Sequence, residues 1–138
     1  MKGVEKSKEN IIVEKSKAFA LRIIRLYKYL REEKNEYVLS KQIVKSGTSI
    51  GANVKEAIRA QSKADFYAKL YIALKEASET EYWLELLSES EYIEESHFKS
   101  IYKDCQEMIK LLVSITKTQK EFEQKGGKEK SGMSGEGK

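Results

Sequence analysis

Ser46-Gly47-Thr48-Ser49-Ile50-Gly51-Ala52-Asn53-Val54-Lys55-Glu56-Ala57 is the stretch on which the fold turns. Ile50, Val54 and Ala57 recur at steps of four and three, the spacing of one helix face. Small side chains occupy the rest of the circumference. Gly47 and Gly51 inside a helix would each cost about 0.5–1 kcal/mol relative to Ala, so their missing side chains must admit something. Close approach by a neighbouring backbone is the expected gain. Because Ser46, Gly47, Thr48, Ser49, Gly51 and Ala52 spread around the whole helix, neighbours are expected on more than one side, another subunit among them.

Working outward, the same period extends in both directions. The segment around 36–61 carries the stripe Leu39, Ile43, Ser46/Gly47, Ile50, Val54 and Ala57, with Asn35 as its expected cap. Before it, residues 10–33 carry Ile12, Ser16, Phe19, Ile23, Leu26 and Leu30, widened by Ala20, Ile24 and Tyr27. After it, Ser62 and Asp65 resemble a capping box and open a third helix at about 63. Its stripe is Phe66, Leu70, Ala73/Leu74, Ala77, Leu84 and Leu87, interrupted at Thr80/Glu81. A fourth begins near Glu94 to Ser96 and repeats through Phe98, Ile101/Tyr102, Cys105, Met108/Ile109, Leu112, Ile115 and Phe122, with Gly126-Gly127 as its expected end.

Four rods of similar length joined by short turns pack antiparallel. The fold class is therefore all-α, an antiparallel up-down-up-down four-helix bundle with crossings of about 20°; a longer two-helix coiled coil that dimerises is the alternative. Residues 1–9 are expected to be a flexible N-terminus and 10–125 the bundle domain. The Gly, Ser, Lys and Glu composition of 126–138 predicts a disordered tail.

Composition agrees with long helices. The 138 residues include no proline, and 35% are charged against 40% hydrophobic. The longest stretch without a charge, Ser46 to Val54, is far short of the roughly 20 residues that span a bilayer. The N-terminus lacks an apolar signal core and Cys105 is the single cysteine, so no intrachain disulfide forms and a cytoplasmic location is expected. The net charge of +4 is unevenly spread: residues 14–63 are basic, 64–97 acidic and 98–138 basic again. A basic half serves an anionic partner such as nucleic acid, while complementary halves equally serve subunit contacts or solubility.

Little in the chain carries catalytic chemistry. Glu94-Glu95-Ser96-His97 has the Glu-x-x-His spacing of di-iron bundles, but His97 is the sole histidine and the second half of such a site is missing. Cys105 lies on an apolar stripe and is expected to be an inert core residue. Gly47-x-x-x-Gly51 is no phosphate loop, since no strand precedes it and no Gly-Lys-Ser/Thr follows; its spacing suits close helix packing. An RNase-like Arg-x4–6-His pair is also missing before His97. No catalytic residue, metal ligand or cofactor is assigned, and the chain is expected not to be an enzyme. The aromatics Tyr67, Tyr71, Tyr82 and Trp83 are expected to be core and interface anchors rather than base-stacking platforms.

Ser49-Ile50-Gly51-Ala52-Asn53-Val54-Lys55-Glu56-Ala57 resembles the Ser-Ile-Pro-x-Asn-Ile-x-Glu-Gly pattern of the bacterial four-helix proteins encoded by intervening sequences within 23S rRNA genes. Here Gly51 stands for the proline, Val54 for the second isoleucine and Ala57 for the glycine. Phe66-Tyr-Ala-Lys-Leu70, Ile72-Ala-Leu-Lys-Glu-Ala77 and Glu79-Thr-Glu-Tyr-Trp-Leu84 look like the family's following block, and the likeness covers roughly residues 10–123. The resemblance implies a ring-like homopentamer without enzymatic activity. Related accessory variability determinant proteins of diversity-generating retroelements associate with a reverse transcriptase and nucleic acid. Ser49, Asn53 and Glu56 are the motif positions carried over, as structural or interfacial residues.

Two functional expectations follow. The first is an oligomeric scaffold binding RNA or nucleoprotein, with Lys41, Lys45, Lys55, Arg59, Arg22 and Arg25 on phosphates and Gly47, Ser49, Gly51, Asn53 and Glu56 at packing or subunit contacts. The second is a protein-interaction module, an accessory subunit of a retroelement reverse transcriptase.

Overall fold

The computed structural model describes residues 7–134, and their side chains from 7 to 117. The outer parts of the expected flexible N-terminus and tail, residues 1–6 and 135–138, lie outside the described residues. Four helices follow one another: α1 (Lys8–Glu32), α2 (Leu39–Ile58), α3 (Lys63–Glu89) and α4 (Glu95–Ser134). Each packs on two others, α1 on α2 and α4, and α3 on α2 and α4, which closes a four-helix bundle.

Cross-helix pairs show every neighbour to be antiparallel. On α1 and α4, Lys15 pairs with Glu107 and Arg22 with Ser100; on α3 and α4, Glu81 pairs with Gln106 and Glu85 with Tyr102. Ser46 and Glu56 of α2 meet Thr80 and Lys69 of α3. In each case numbers rise along one helix as they fall along its neighbour, as in an up-down-up-down bundle.

The core follows the spacing of apolar residues. Ile12, Phe19, Ile23, Leu26 and Leu30 of α1 are buried against Ile43, Ile50 and Val54 of α2, Leu70, Leu84 and Leu87 of α3, and Ile101, Met108 and Leu112 of α4. Thr80, an apparent break in the α3 stripe, is fully buried. Its hydroxyl oxygen lies 2.8 Å from Ser46 Oγ and 2.8 Å from the Glu76 carbonyl. A hydroxyl has one proton. Thr80 therefore donates to Glu76, which can only accept, and takes the Ser46 proton in return.

The helix ends differ from expectation at several places, and α2 is shorter at both ends than the expected 36–61. Ser7 caps α1, its Oγ accepting from the Asn10 amide at 3.1 Å, so this helix starts slightly earlier than the stripe predicts. Asn35 does not cap α2. It adopts a left-handed φ of 52°, which turns the chain, and the cap is Glu36. The Glu36 carboxylate accepts from the amides of Val38, Leu39 and Ser40 at 3.2, 2.8 and 2.7 Å. The Asn35 side chain instead accepts from the Tyr37 hydroxyl at 3.1 Å on its Oδ1. Finally, α4 runs through Gly126-Gly127 to Ser134. Each glycine costs a helix about 1 kcal/mol, and no proline follows to remove a ladder bond. The Ser62 cap of α3 is as expected, with its Oγ accepting from the Asp65 amide at 3.0 Å.

Candidate nucleic-acid interface

Helical spacing sets Lys41, Lys45 and Lys55 on one outward strip of α2 that Arg59, the residue capping its C-terminus, continues, and all four are exposed. Thr48 and Ala52 lie between the two pairs. The Thr48 hydroxyl donates to the Val44 carbonyl at 2.7 Å, so it is turned back onto its own helix rather than outward. No acidic residue stands in the first turn of α2. The Glu36 carboxylate on the first amides offsets the roughly half positive charge of the helix N-terminus, so the positive potential of the strip comes from its lysines and arginine.

Beside this strip, α1 and α2 enclose a cleft of about 520 Å³. Val13, Ser16, Lys17 and Ala20 line it from α1, and Thr48, Gly51, Ala52, Val54, Lys55, Ile58 and Arg59 from α2. Its floor is low because Gly51 lies against Ser16, where a Cβ would come 3.3 Å from Ser16 Oγ. Val13 and Ile58 are 39% and 46% exposed, large values for aliphatic side chains on one cleft. Lys17 thus faces Lys55 and Arg59 across a small, apolar floor. Reading each helix separately could not bring Lys17 into this set, since the grouping depends on how α1 and α2 dock.

Arg22 and Arg25 lie elsewhere, along the seam of α1 with α4. Lys8, Lys15 and Arg22 recur every seven residues and meet Ser114, Glu107 and Ser100, which recur with the opposite sense. Arg22 also holds Asp104 at 2.6 Å, with the two side chains 25% and 44% exposed. Arg25 borders a second cleft, about 250 Å³, together with Lys15, Arg22 and Asp104. The six sequence-predicted cations therefore divide into four on the α2 strip and two on the α1–α4 seam, where Arg22 is held by two partners.

The candidate packing residues are placed as follows. Gly47 is buried against Ile23 of α1, and Gly51 against Ser16. Asn53 donates from Nδ2 to the Ser49 carbonyl at 2.9 Å and to its hydroxyl at 3.2 Å. Glu56 pairs with Lys69 of α3 at 3.1 Å. Gly47, Gly51 and Glu56 thus have partners in neighbouring helices of the same chain, while Ser49 and Asn53 bond to each other.

The groups with reactive potential are poorly disposed for chemistry. Burial, assisted by the charges of Glu81, Asp104 and Glu85, pushes the Cys105 thiol up to about 12, where little thiolate forms. Its Sγ donates to the Ala77 carbonyl at 3.4 Å. His97 is half-buried; burial first, then Arg22, lowers its pKa, against the opposing influence of Glu94. Tyr102 donates to the Glu85 carboxylate, which raises its pKa. Among the described residues no three His, Cys, Asp or Glu side chains gather to hold a metal ion, and no helix is long and apolar enough to cross a membrane. Tyr67 and Trp83 pack against the core, whereas Tyr71 and Tyr82 are 38% and 53% exposed.

These features define the class: an all-α four-helix bundle with a basic α1–α2 face and no assembled catalytic centre among the described residues. The chain belongs to the 23S rRNA-intervening sequence protein family, which it matches over residues 8–114. It is also similar to a protein of unknown function from the S23 ribosomal protein family of Bacteroides thetaiotaomicron VPI-5482, known from a crystal structure. That protein is 58% identical, with a TM-score of 0.79, over 80% of this chain and 99% of the other. No curated protein matches the chain.

Proposed function

We propose that the protein is a nonenzymatic oligomeric scaffold that binds RNA or ribonucleoprotein through its α1–α2 face. One observation carries this reading. Lys41, Lys45, Lys55 and Arg59 have no acidic partner among the described residues, while Lys15, Arg22, Lys69 and Lys99 are each paired with a carboxylate. Four unpaired cations on one face make a surface of positive potential, which attracts phosphate and releases its counterions.

Self-association would draw on other residues. Ile72 and Tyr82 of α3 and Val113 of α4 are 40%, 53% and 45% exposed, apolar side chains that a second copy of the chain would cover. The homo-oligomer would be a pentamer by family resemblance. The same residues also favour a second reading, in which a protein such as a reverse transcriptase docks there.

Filter binding of a structured RNA at two salt concentrations tests the main reading. The expected result is binding at low salt that weakens steeply with added salt and with reversal of Lys41, Lys45, Lys55 and Arg59 to Glu. No binding at low salt, or binding indifferent to the reversal, overturns it. Native mass spectrometry tests assembly, with a monomer as the contrary result, and a pull-down from the native host separates a protein partner from RNA.

A further inference from the structure

The cations of α2 are grouped rather than evenly spaced, and the grouping bears on what kind of nucleic acid fits. Lys41 and Lys45 form one pair, one turn apart, and Lys55 and Arg59 form another. At 1.5 Å per residue the pair midpoints lie about 21 Å apart along the axis. Between them the surface dips, because Ala52 carries a single methyl and the Thr48 hydroxyl is turned back to the Val44 carbonyl. The strip is rigid: the helix beneath it is anchored in the core by Ile43, Ile50 and Val54, each no more than 1% exposed.

We infer that α2 straddles a wide groove of a double-helical nucleic acid, with one cation pair on each of the two flanking phosphate strands and the Thr48–Ala52 waist over the groove between them. The inference rests on the nucleic-acid reading above and narrows its ligand. A groove about 12 Å wide, plus lysine or arginine reach on either side, matches pairs about 21 Å apart. A minor groove of B-form DNA, about 6 Å wide, is too narrow. The wide, shallow minor groove of an A-form RNA duplex and the major groove of DNA both fit.

A single strand fits less well. Sequence-tolerant binding of single strands depends on aromatic side chains that stack on bases, and no aromatic residue lines the cleft or stands between the two pairs. A flexible strand would also gain nothing from a fixed gap between cations. The contacts would be to phosphate, so affinity should depend on duplex form and salt more than on base sequence.

The test is fluorescence anisotropy with a labelled RNA duplex, the DNA duplex of the same sequence, and each single strand, at two salt concentrations. Either duplex should bind at least about tenfold more tightly than its single strands, and the two duplex arms identify which wide groove is used. K41E/K45E and K55E/R59E should each weaken duplex binding about tenfold and lower the salt slope by about two. The decisive variant keeps the charge and adds no aromatic ring: Ala52→Leu should fill the waist and weaken duplex binding, leaving single-strand binding and the thermal melt unchanged. If the Leu variant melts early, Ala52→Met replaces it. Single strands binding as tightly as duplexes, or a filled waist that binds duplex like the parent, overturns the inference while the broader reading survives. Absence of binding to every nucleic acid overturns both.

Discussion

Ile23 of α1 fills the space above Gly47 of α2: a Cβ at that glycine would lie 2.8 Å from Ile23 Cγ2 and 2.9 Å from Cγ1. Ile23 is fully buried and has little room to yield. Overpacking of this kind costs about 1–3 kcal/mol, more than the roughly 1 kcal/mol that alanine gains over glycine in a helix. Gly47→Ala should therefore lower the urea midpoint. Gly51→Ala should not, because its Cβ would meet the Ser16 hydroxyl at 3.3 Å and the Ser16 carbonyl oxygen at 3.4 Å, and the hydroxyl can rotate. Its expected effect lies between none and about 1 kcal/mol of stabilisation. Equal losses in the two variants would contradict this assignment of the glycines.

The hydroxyl pair between Ser46 and Thr80 gives a second contrast. Thr80→Val removes the acceptor for the buried Ser46 proton and should cost about 1–3 kcal/mol. Ser46→Ala leaves Thr80 bonded to the Glu76 carbonyl 2.8 Å away, so it should cost less. The double variant removes both polar groups and should be more stable than the two losses added together predict. Additive losses in chemical denaturation would show that the two hydroxyls are not coupled.

This pair also marks where sequence reading stops. The α1 stripe predicts Ile12, Ser16, Phe19, Ile23, Leu26 and Leu30, all of which are buried. Periodicity finds such positions because one helix face meets the core wherever the neighbours lie. It reads Thr80 as an interruption, since a hydroxyl is acceptable in a core only when a particular partner faces it, and that partner is 34 residues away. The basic strip of α2 is likewise visible in one helix, whereas the Lys17–Lys55 cleft and the Arg22–Asp104 pair arise from docking between helices. The Glu36 cap is hidden for a local reason. Asn35 is the commoner capping type, but its left-handed backbone commits it to the turn.

Cys105 should be silent toward thiol reagents near neutral pH until the protein unfolds. The folded thiol is pushed up to about 12, chiefly by burial, against an ordinary value of 9.0. Between those values the unfolded chain releases the proton and the folded chain retains it. Stability from this group is therefore complete below about pH 9 and is lost as pH rises toward 12. Tyr102, raised by its bond to Glu85, acts in the same direction. Labelling rates measured across a urea series should follow the unfolded fraction, and Cys105→Ala should flatten the alkaline limb of the stability profile. Rapid labelling of the native protein would contradict the buried placement.

Glu36 offers the most direct test of how α2 begins. Its side chain is 7% exposed and its carboxylate accepts from three successive amides, at 3.2, 2.8 and 2.7 Å. The first amides of a helix have no partner within the helix, so removing this carboxylate leaves several donors unsatisfied at once. Ser40 depends on the same residue, donating its hydroxyl to the Glu36 carbonyl at 2.9 Å, but a substitution of the side chain leaves that bond in place. Glu36→Ala should thus cost about 1–3 kcal/mol, at or above the upper range for an ordinary cap. Glu36→Gln retains one carbonyl oxygen and should lose less, because two of the three bonds fall on Oε2 and only the Ser40 amide uses Oε1. Asn35→Gly should be nearly silent, since glycine adopts the left-handed φ of 52° without strain. If Asn35→Gly destabilises α2 as much as Glu36→Ala does in hydrogen exchange of the Val38 to Ser40 amides, Asn35 rather than Glu36 holds the start of the helix.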